Sequence, residues 1–328
     1  MGKRPRDHAH ALTRWQRRIR NFRRPIYGWA AAGAAAVLLR CPYRVLRPVS
    51  RTLTAPVLRL IFRRRADRNL TTVLPDLALE RRTKILDEVF RGTSTLAAEW
   101  IGAAKLGREF FELYVDDAQG RQQMETLEAN WDGGWIGITG HMGNWELLGQ
   151  WLHNTSRRPS ASLAKKQPNP HLNKVIERLR GRHGRATIYR HDPPGKILRL
   201  LRDGGSLGIA ADEDAVTMSG VFIDFLGRPA YTPLGPARLA IAANVPIMVG
   251  AMFRRGERFE VQLNTPIWPD RKAPRDEEIL RLTRAWSAEL QEIIRKHPEQ
   301  WPWFHDRWKT TPEVLERKKR RQLSLNAS

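Results

Sequence analysis

The chain has a single cysteine, Cys41, among its 328 residues. One thiol cannot close an internal disulfide and cannot build a cysteine-based metal cage. The zinc-peptidase pattern His-Glu-x-x-His is absent, and no uncharged apolar run reaches the roughly 20 residues that span a bilayer. The N-terminal apolar run, Ile26–Leu39, has only 14 residues and is flanked by arginines on both sides. We therefore expect no internal disulfide, and the sequence implies no metal and no organic cofactor.

Positive charge is abundant and unevenly distributed. Residues 1–70 carry 18 Lys or Arg against two Asp, whereas residues 71–310 have a net charge of only +4. A basic arm on a nearly balanced domain indicates an anionic partner, either a membrane surface or a nucleic acid. The run Ile26–Leu39 and the amphipathic stretch Val45–Phe62 favour a membrane, since a nucleic acid does not require an uncharged apolar segment. A dip into one leaflet, a full span and a buried core helix with a solvated arm remain the alternatives.

The order of apolar and polar segments predicts three regions. Residues 1–70 are predicted to be a basic arm with a membrane-anchoring segment, residues 71–310 a catalytic domain, and residues 311–328 a frayed polar tail. The basic stretch before Ile26 is too long for a secretory signal, and no small-x-small cleavage site follows the apolar run. We therefore predict that the catalytic domain faces the cytoplasm.

Short apolar strands alternate with amphipathic helices between residues 135 and 295, after a long helix over Leu79–Leu106. This order predicts an α/β fold with a mainly parallel central sheet flanked by helices. The predicted strands are Trp135–Thr139, Ala161–Lys165, Thr187–Tyr189, Leu207–Ala211, Val221–Phe225, Val245–Phe253 and Phe259–Leu263. Ligands of such sheets bind beyond the carboxyl ends of the strands.

His141 comes directly after the strand Trp135–Thr139, and Glu146 follows five residues later. In one continuous helix these two side chains would lie about 140° apart, so they can face each other only if His141 precedes the helix. Gly143 permits a tight turn there, and Asn144 is a favourable N-cap. The spacing predicts that His141 is a general base and that Glu146 orients it.

A tetrahedral oxyanion would need hydrogen-bond donors near such a base. The backbone N–H groups around Gly143 and Asn144, at a helix N-terminus, are the predicted donors. Apolar side chains of the same helix, Leu147 and Trp151, are expected to line an apolar channel.

Several charged residues farther along the chain are candidates for binding a substrate. Lys165 and Lys166 end a predicted strand on the His141 side of the sheet, and Arg228 follows a Gly turn, so all three are expected to bind phosphate. Asp212, in the sequence ADEDA after another strand, is expected to have a structural role or to contact a headgroup. The sequence Gly204–Gly208 fits Gly-x-Ser-x-Gly, but its serine precedes a strand instead of a helix, which argues against a serine hydrolase.

Four motifs in the same order resemble the family of lipid A biosynthesis acyltransferases, which add lauroyl or myristoyl chains late in lipopolysaccharide assembly. They are Arg68-Asn69-Leu70 with Leu74-Pro75, GHMGNWELLG around His141, Gly220–Ala240, and the Trp-rich Trp301–Lys309. The resemblance implies transfer of a fatty acyl chain from acyl carrier protein to a hydroxyl of a membrane lipid, with His141 as base. It also implies a location at the cytoplasmic face of a bacterial inner membrane.

The chain departs from the family pattern at two places. Ala164-Lys165-Lys166 stands where the family commonly has a Tyr-Arg pair, and Glu213 replaces the central Gln of Asp-Gln-Asp. These differences leave open a lysophospholipid, a glycolipid or an aminolipid as acceptor, and acyl-coenzyme A as donor. A nucleic-acid-binding protein and a non-catalytic lipid-binding relative are the rival interpretations.

Overall fold

The computed structural model describes residues 40–156, 158–215 and 218–326. The apolar run Ile26–Leu39 lies outside these residues. The helices are α1 (Tyr43–Val73), α2 (Leu79–Leu106), α3 (Arg108–Tyr114), α4 (Ala118–Asn130), α5 (Trp145–Thr155), α6 (Pro170–Gly181), α7 (Pro194–Arg202), α8 (Gly235–Ala243), α9 (Arg275–Lys296) and α10 (Pro312–Asn326). The strands are β1 (Val115–Asp116), β2 (Trp135–Thr139), β3 (Ser160–Ala164), β4 (Ala186–Tyr189), β5 (Ser206–Ala210), β6 (Gly220–Phe225), β7 (Arg228–Pro233), β8 (Ile247–Arg255) and β9 (Arg258–Leu263).

Seven of the described strands form one sheet in the order β1-β9-β8-β2-β5-β3-β4. Five of the six strand pairs are parallel, and the β8–β9 hairpin is antiparallel. A parallel sheet must be covered on both faces, and β8 accordingly is buried continuously from Ile247 to Phe253. The predicted α/β class with a mainly parallel sheet is confirmed.

Strand β6 does not join this sheet. It pairs with β7 in a separate two-stranded hairpin that turns at Leu226 and Gly227. Gly227 has a φ of 81°, a left-handed conformation that glycine adopts without steric cost. The predicted strand Val221–Phe225 therefore exists, but it lies outside the central sheet.

Helix α1 continues through the boundary predicted at residue 70 and packs along α2. Ala66 and Leu70, near its carboxyl end, are fully buried in the main hydrophobic core. Several apolar side chains on its earlier turns are exposed. Among the described residues, no helix combines the length and hydropathy needed to cross a bilayer.

The carboxyl-terminal segment also differs from the prediction. Residues 312–326 form helix α10, where we expected a frayed tail. The basic composition of this segment does not prevent a helix, because Lys, Arg, Glu and Leu all have favourable helix propensities.

Candidate active site

His141 and Asp212 meet because they follow two neighbouring parallel strands by the same number of residues. Thr139, the last residue of β2, is in register with Ala210, the last residue of β5. The two strands therefore end at one edge of the sheet, and the second residue after each strand reaches the same point. Gly140 allows this approach, since a Cβ atom there would lie 3.1 Å from Asp212 Oδ2.

The two side chains form a hydrogen-bonded pair, which we call the His–Asp pair. Asp212 Oδ1 lies 2.7 Å from His141 Nδ1, and Asp212 Oδ2 accepts a hydrogen bond of 2.8 Å from the His141 backbone N–H. The carboxylate is fully buried, whereas 19% of the His141 side chain is exposed. Two contacts to one carboxylate fix the imidazole orientation and leave Nε2 as the ring nitrogen available to a substrate.

Electrostatics favours an ionised carboxylate next to a basic imidazole. Burial lowers the pKa of His141, but the negative charge and hydrogen bond of Asp212, with smaller effects of Glu213 and Glu146, raise it above its ordinary value. Burial raises the pKa of Asp212, but the charge and hydrogen bond of His141 lower it well below its usual range. Asp212 is therefore a carboxylate at neutral pH.

Glu146 does not occupy the position that we predicted for it. It lies in the first turn of α5, and its carboxylate accepts hydrogen bonds from Arg180 and from Arg185, the latter at 2.6 Å. Burial raises the pKa of Glu146, but Arg185 and Arg180 together lower it. Among the described residues no hydrogen bond joins Glu146 to His141, because two arginines engage the carboxylate and Asp212 occupies Nδ1. The prediction that Glu146 orients His141 is wrong in this structure, and Asp212 is the partner.

The predicted oxyanion donors are also occupied. The backbone N–H of Gly143 donates to the Gln300 carbonyl at 2.8 Å, and that of Asn144 donates to the Met252 carbonyl at 3.0 Å. Asn144 is the N-cap of α5, as predicted, since its side chain accepts a hydrogen bond from the N–H of Leu147. Gly143 and Asn144 therefore build the turn, and they do not point free N–H groups at a substrate.

A cavity of about 390 Å³ lies beside the His–Asp pair, and we call it the acyl cavity. It runs between the sheet and helix α5, and three glycines on central strands, Gly137, Gly208 and Gly250, contribute to its wall. Its apolar lining includes Trp135, Ile138, Leu148, Leu152, Met248 and Leu263. A cavity of this volume and lining suits an elongated apolar ligand.

Of the other predicted site residues, some line this cavity and others do not. Lys165 follows β3 and lines the acyl cavity, while Lys166 is exposed and is not part of its lining. Arg228 lies on the β6–β7 hairpin, where its guanidinium stacks over Trp308 at 4.8 Å from the ring centroid, away from His141. Leu147 and Trp151 are fully buried against other core residues, so the adjacent α5 face lines the cavity instead.

The sequence matches the family model for "Bacterial lipid A biosynthesis acyltransferase" over residues 16–310. The chain belongs to this family. The description of this family names acyl transfer as its activity, and the site of this chain has an imidazole–carboxylate pair beside an apolar cavity.

The similarity to known acyltransferases covers different fractions of the chain. The chain is 25% identical over 303 residues to lipid A biosynthesis palmitoleoyltransferase of Escherichia coli K12, covering 89% of this chain and 95% of that protein. It is 24% identical over 297 residues to lipid A biosynthesis lauroyltransferase of the same strain, covering 87% and 92%. Phosphatidylinositol mannoside acyltransferase of Mycobacterium tuberculosis CDC 1551 is 24% identical over 172 residues, covering 51% of this chain and 52% of that protein. The match thus spans about half the length of the mycobacterial relative.

The Trp-rich segment holds the loop that carries Asp212. Trp301 donates its indole N–H to Asp212 Oδ2 at 2.8 Å, and Thr310 donates to both oxygens of Asp214. Arg307 is fully buried and donates to the carbonyl of Glu213 and to the Thr232 hydroxyl. The Trp-rich motif in the sequence did not by itself predict this contact with the site.

His141, Asp212 and His305 offer three potential metal-ligand atoms within 4.8 Å of one another. However, Asp212 Oδ1 is paired with the imidazole of His141, and Oδ2 accepts hydrogen bonds from the His141 backbone and from Trp301. In this set, both oxygens of Asp212 and Nδ1 of His141 are therefore engaged in internal hydrogen bonds, whereas the buried Nδ1 of His305 has no hydrogen-bond partner among the described residues. We interpret it as an imidazole–carboxylate pair with a neighbouring histidine.

Proposed function

We propose that the protein transfers a fatty acyl chain from the thioester of acyl carrier protein to a hydroxyl of a lipid A precursor. The single observation that carries this proposal is the His–Asp pair at the wall of the acyl cavity, in a chain of the acyltransferase family. The pair supplies a base for a hydroxyl, and the cavity supplies a place for the chain that is transferred.

In the proposed reaction, His141 Nε2 removes the proton from the acceptor hydroxyl as its oxygen attacks the thioester carbon. Asp212 stabilises the imidazolium that forms and keeps the proton of the neutral ring on Nδ1. The new C–O bond forms, the C–S bond breaks, and the thiolate leaving group takes the proton back from His141. The reaction needs no redox partner.

Two backbone N–H groups at the start of α5 are proposed as donors to the developing oxyanion. The helix α5 begins at Trp145, and the first N–H groups of a helix have no partner within it. The groups of Trp145 and Glu146, both on the wall of the acyl cavity, are the donors that we propose. Arg180 and Arg185 neutralise the Glu146 carboxylate, so its charge does not oppose the oxyanion.

The donor is proposed to approach from the side of Lys165. Residues 157–202 contain thirteen Lys or Arg and two acidic residues, and Lys165 and Arg190 of this region line the acyl cavity. A basic surface at a cavity suits an acidic carrier protein and its phosphate-linked prosthetic group. Acyl-coenzyme A, which also carries phosphates, is the alternative donor.

Membrane attachment is proposed to involve α1. Exposed apolar residues lie along one side of this helix: Val45, Val49, Leu53, Val57, Leu60 and Ile61, of which Leu60 is 87% exposed. We call this set the apolar stripe. With the basic arm before it, a stripe of this kind suits insertion into the interface of an anionic leaflet. The enzyme is proposed to act at the cytoplasmic face of the inner membrane of a bacterium.

A different class of acceptor lipid is the alternative. The similarity to phosphatidylinositol mannoside acyltransferase and the Lys165-Lys166 sequence favour testing a lysophospholipid, a glycolipid or an aminolipid as well.

The direct test incubates purified full-length enzyme with acyl carrier protein or coenzyme A carrying the same acyl chain, together with each acceptor lipid in neutral detergent micelles. We expect the product to be an acylated lipid A precursor, formed faster with the carrier protein. The variant His141→Ala should form no product. Equal product from the His141→Ala variant would contradict the mechanism, and product only from another lipid would replace the proposed acceptor.

A further inference from the structure

A second, smaller cavity also reaches His141. It has a volume of about 180 Å³, and we call it the acceptor cavity. It shares His141, Trp145 and Leu96 with the acyl cavity, and its outer wall includes Arg254 and Gln300. The base therefore stands where two separate approaches meet, as a transfer reaction with two substrates requires.

The acceptor cavity continues into a larger groove between α1 and α2. This groove has a volume of about 500 Å³, and it shares Gly92, Arg254, Glu299 and Gln300 with the acceptor cavity. Five arginines line it, so we call it the arginine groove: Arg44, Arg47, Arg51, Arg91 and Arg254.

Two of these arginines are neutralised within the protein. Arg254 makes a close pair with Glu99, which is fully buried, and Arg47 pairs with Glu99 and Glu257. The other three behave differently. Across residues 40–156, 158–215 and 218–326, no ion pair with a carboxylate is formed by Arg44, Arg51 or Arg91.

Two further acidic residues on the groove wall leave these three arginines with an excess of one positive charge. Glu88 and Glu299 line the groove besides Glu257, and Glu299 lies 3.8 Å from His297. Three exposed guanidinium groups around one concave surface repel one another unless they share an anion. Guanidinium is also the side-chain group that best matches the geometry of a phosphate.

The three arginines belong to the two helices that flank the groove. Arg44 and Arg51 are seven residues apart, so they lie on one side of α1, about 100° to 160° around the helix from Val45 and Val49. The groove and the apolar stripe therefore lie on different sides of α1. On α2, Leu96 of the acceptor cavity is five residues beyond Arg91, about 7.5 Å along the helix axis.

We propose that Arg44, Arg51 and Arg91 bind a phosphate of the acceptor lipid's headgroup, so that its reacting hydroxyl enters the acceptor cavity and reaches His141. This inference rests on the proposed function and assigns the acceptor to α1 and α2. It moves the acceptor's phosphate site from Lys165, Lys166 and Arg228 to α1 and α2.

The test compares two double variants of the full-length enzyme that lose the same charge. Arg51→Gln with Arg91→Gln changes the arginine groove. Arg63→Gln with Arg64→Gln changes exposed arginines of α1 that do not line the groove. Each enzyme is assayed with a lipid A precursor in uncharged detergent micelles, and with the same lipid after a phosphatase has removed its phosphates. The micelles remove any difference in membrane binding from the measurement.

We expect the groove variant to raise the KM for the phosphorylated acceptor at least tenfold, with the KM for the acyl donor and the melting temperature unchanged. Its KM for the dephosphorylated lipid should match that of the wild type. For the charge-conserving variant Arg51→Lys with Arg91→Lys, the KM for the phosphorylated acceptor should lie between those of the groove variant and the wild type, because ammonium lacks the bidentate geometry. The Arg63/Arg64 control should behave as the wild type.

Equal KM values for the phosphorylated lipid in the groove variant and the wild type would overturn this site while leaving acyl transfer intact. A loss that is the same for both lipids would overturn it too, since phosphate binding would then not be involved. A wild-type enzyme that acylates neither lipid would overturn the proposed function and this site with it.

Discussion

The substitution Asp212→Asn tests the His–Asp pair most sharply, because the structure dictates how the amide must lie. Asp212 Oδ2 accepts from two N–H donors, the His141 backbone and the Trp301 indole. The amide oxygen of an asparagine would take that position and turn its NH2 group toward His141 Nδ1. The imidazole would then carry its proton on Nε2, where it cannot act as a base.

We expect this substitution to lower kcat by about 10³- to 10⁴-fold, the order found when a catalytic imidazole is held in the wrong tautomer. The acid limb of the pH–rate profile is the range in which activity falls as His141 becomes protonated. For the remaining activity this limb should lie at lower pH than in the wild type, because the negative charge that raises the pKa of His141 is gone. The assay is the rate of acyl transfer against pH, with acceptor and donor saturating.

A matched control is Asp214→Asn, which changes a carboxylate of the same loop that binds Thr310. It should leave the acid limb where the wild type has it. The reasoning would be refuted if Asp212→Asn kept a kcat within about threefold of the wild type. It would also be refuted if Glu146→Gln, and not Asp212→Asn, displaced the acid limb.

The pair should also make stability depend on pH. The pKa of Asp212 is lowered in the folded state, so its contribution is present above the unfolded pKa of about 3.9 and is lost as pH falls. The pKa of His141 is raised, so its contribution is present below the unfolded pKa of about 6.5 and is lost as pH rises through the folded value. The difference in melting temperature between the wild type and Asp212→Asn should therefore be largest between these two pH values. A difference that stays constant across pH would contradict the coupling of the two groups.

Three further substitutions probe the surroundings of the pair. Trp301→Phe removes a hydrogen bond to the buried Asp212 carboxylate, which should raise the pKa of the His141 imidazole and move the acid limb to higher pH. The control Trp303→Phe should not move it, because the Trp303 indole donates to a backbone carbonyl. Gly208→Val should shift donor preference to shorter acyl chains, because a Cβ atom there meets no atom nearer than 3.8 Å and the side chain extends into the acyl cavity; an unchanged preference among donors of different length would contradict this assignment. Glu99→Gln leaves Arg254 without its buried partner and should lower the free energy of unfolding by about 3–5 kcal/mol, measured by chemical denaturation, and a loss under 1 kcal/mol would count against it.

The sequence alone predicts the architecture well because the signals involved are local. The alternation of strands and helices, the Asn144 cap and the position of His141 after β2 depend on residues a few positions apart. Each of these predictions is confirmed by the structure. The same kind of signal placed Asp212 directly after β5.

The partner of His141 could not be deduced in the same way, because it depends on which strands are neighbours. Asp212 is 71 residues from His141 in sequence and reaches it only because β2 pairs with β5 in register. Glu146 was the nearest acid along the chain, but two arginines from α6 and the segment after it engage its carboxylate. The N–H groups of Gly143 and Asn144 were likewise assigned to an oxyanion, while distant carbonyls of Gln300 and Met252 accept from them. Long-range partners, not local propensity, decided each of these outcomes.

Acyl transfer to a lipid hydroxyl by His141 is most directly tested by mass spectrometry of the lipids of a deletion strain. The strain is complemented with the wild type, with His141→Ala or with Asp212→Asn, at matched protein levels. Our account predicts that a lipid of the deletion strain lacks one acyl chain and that only the wild type restores it fully; the mass difference then identifies the acceptor and the chain length. Equal restoration by His141→Ala would contradict the account.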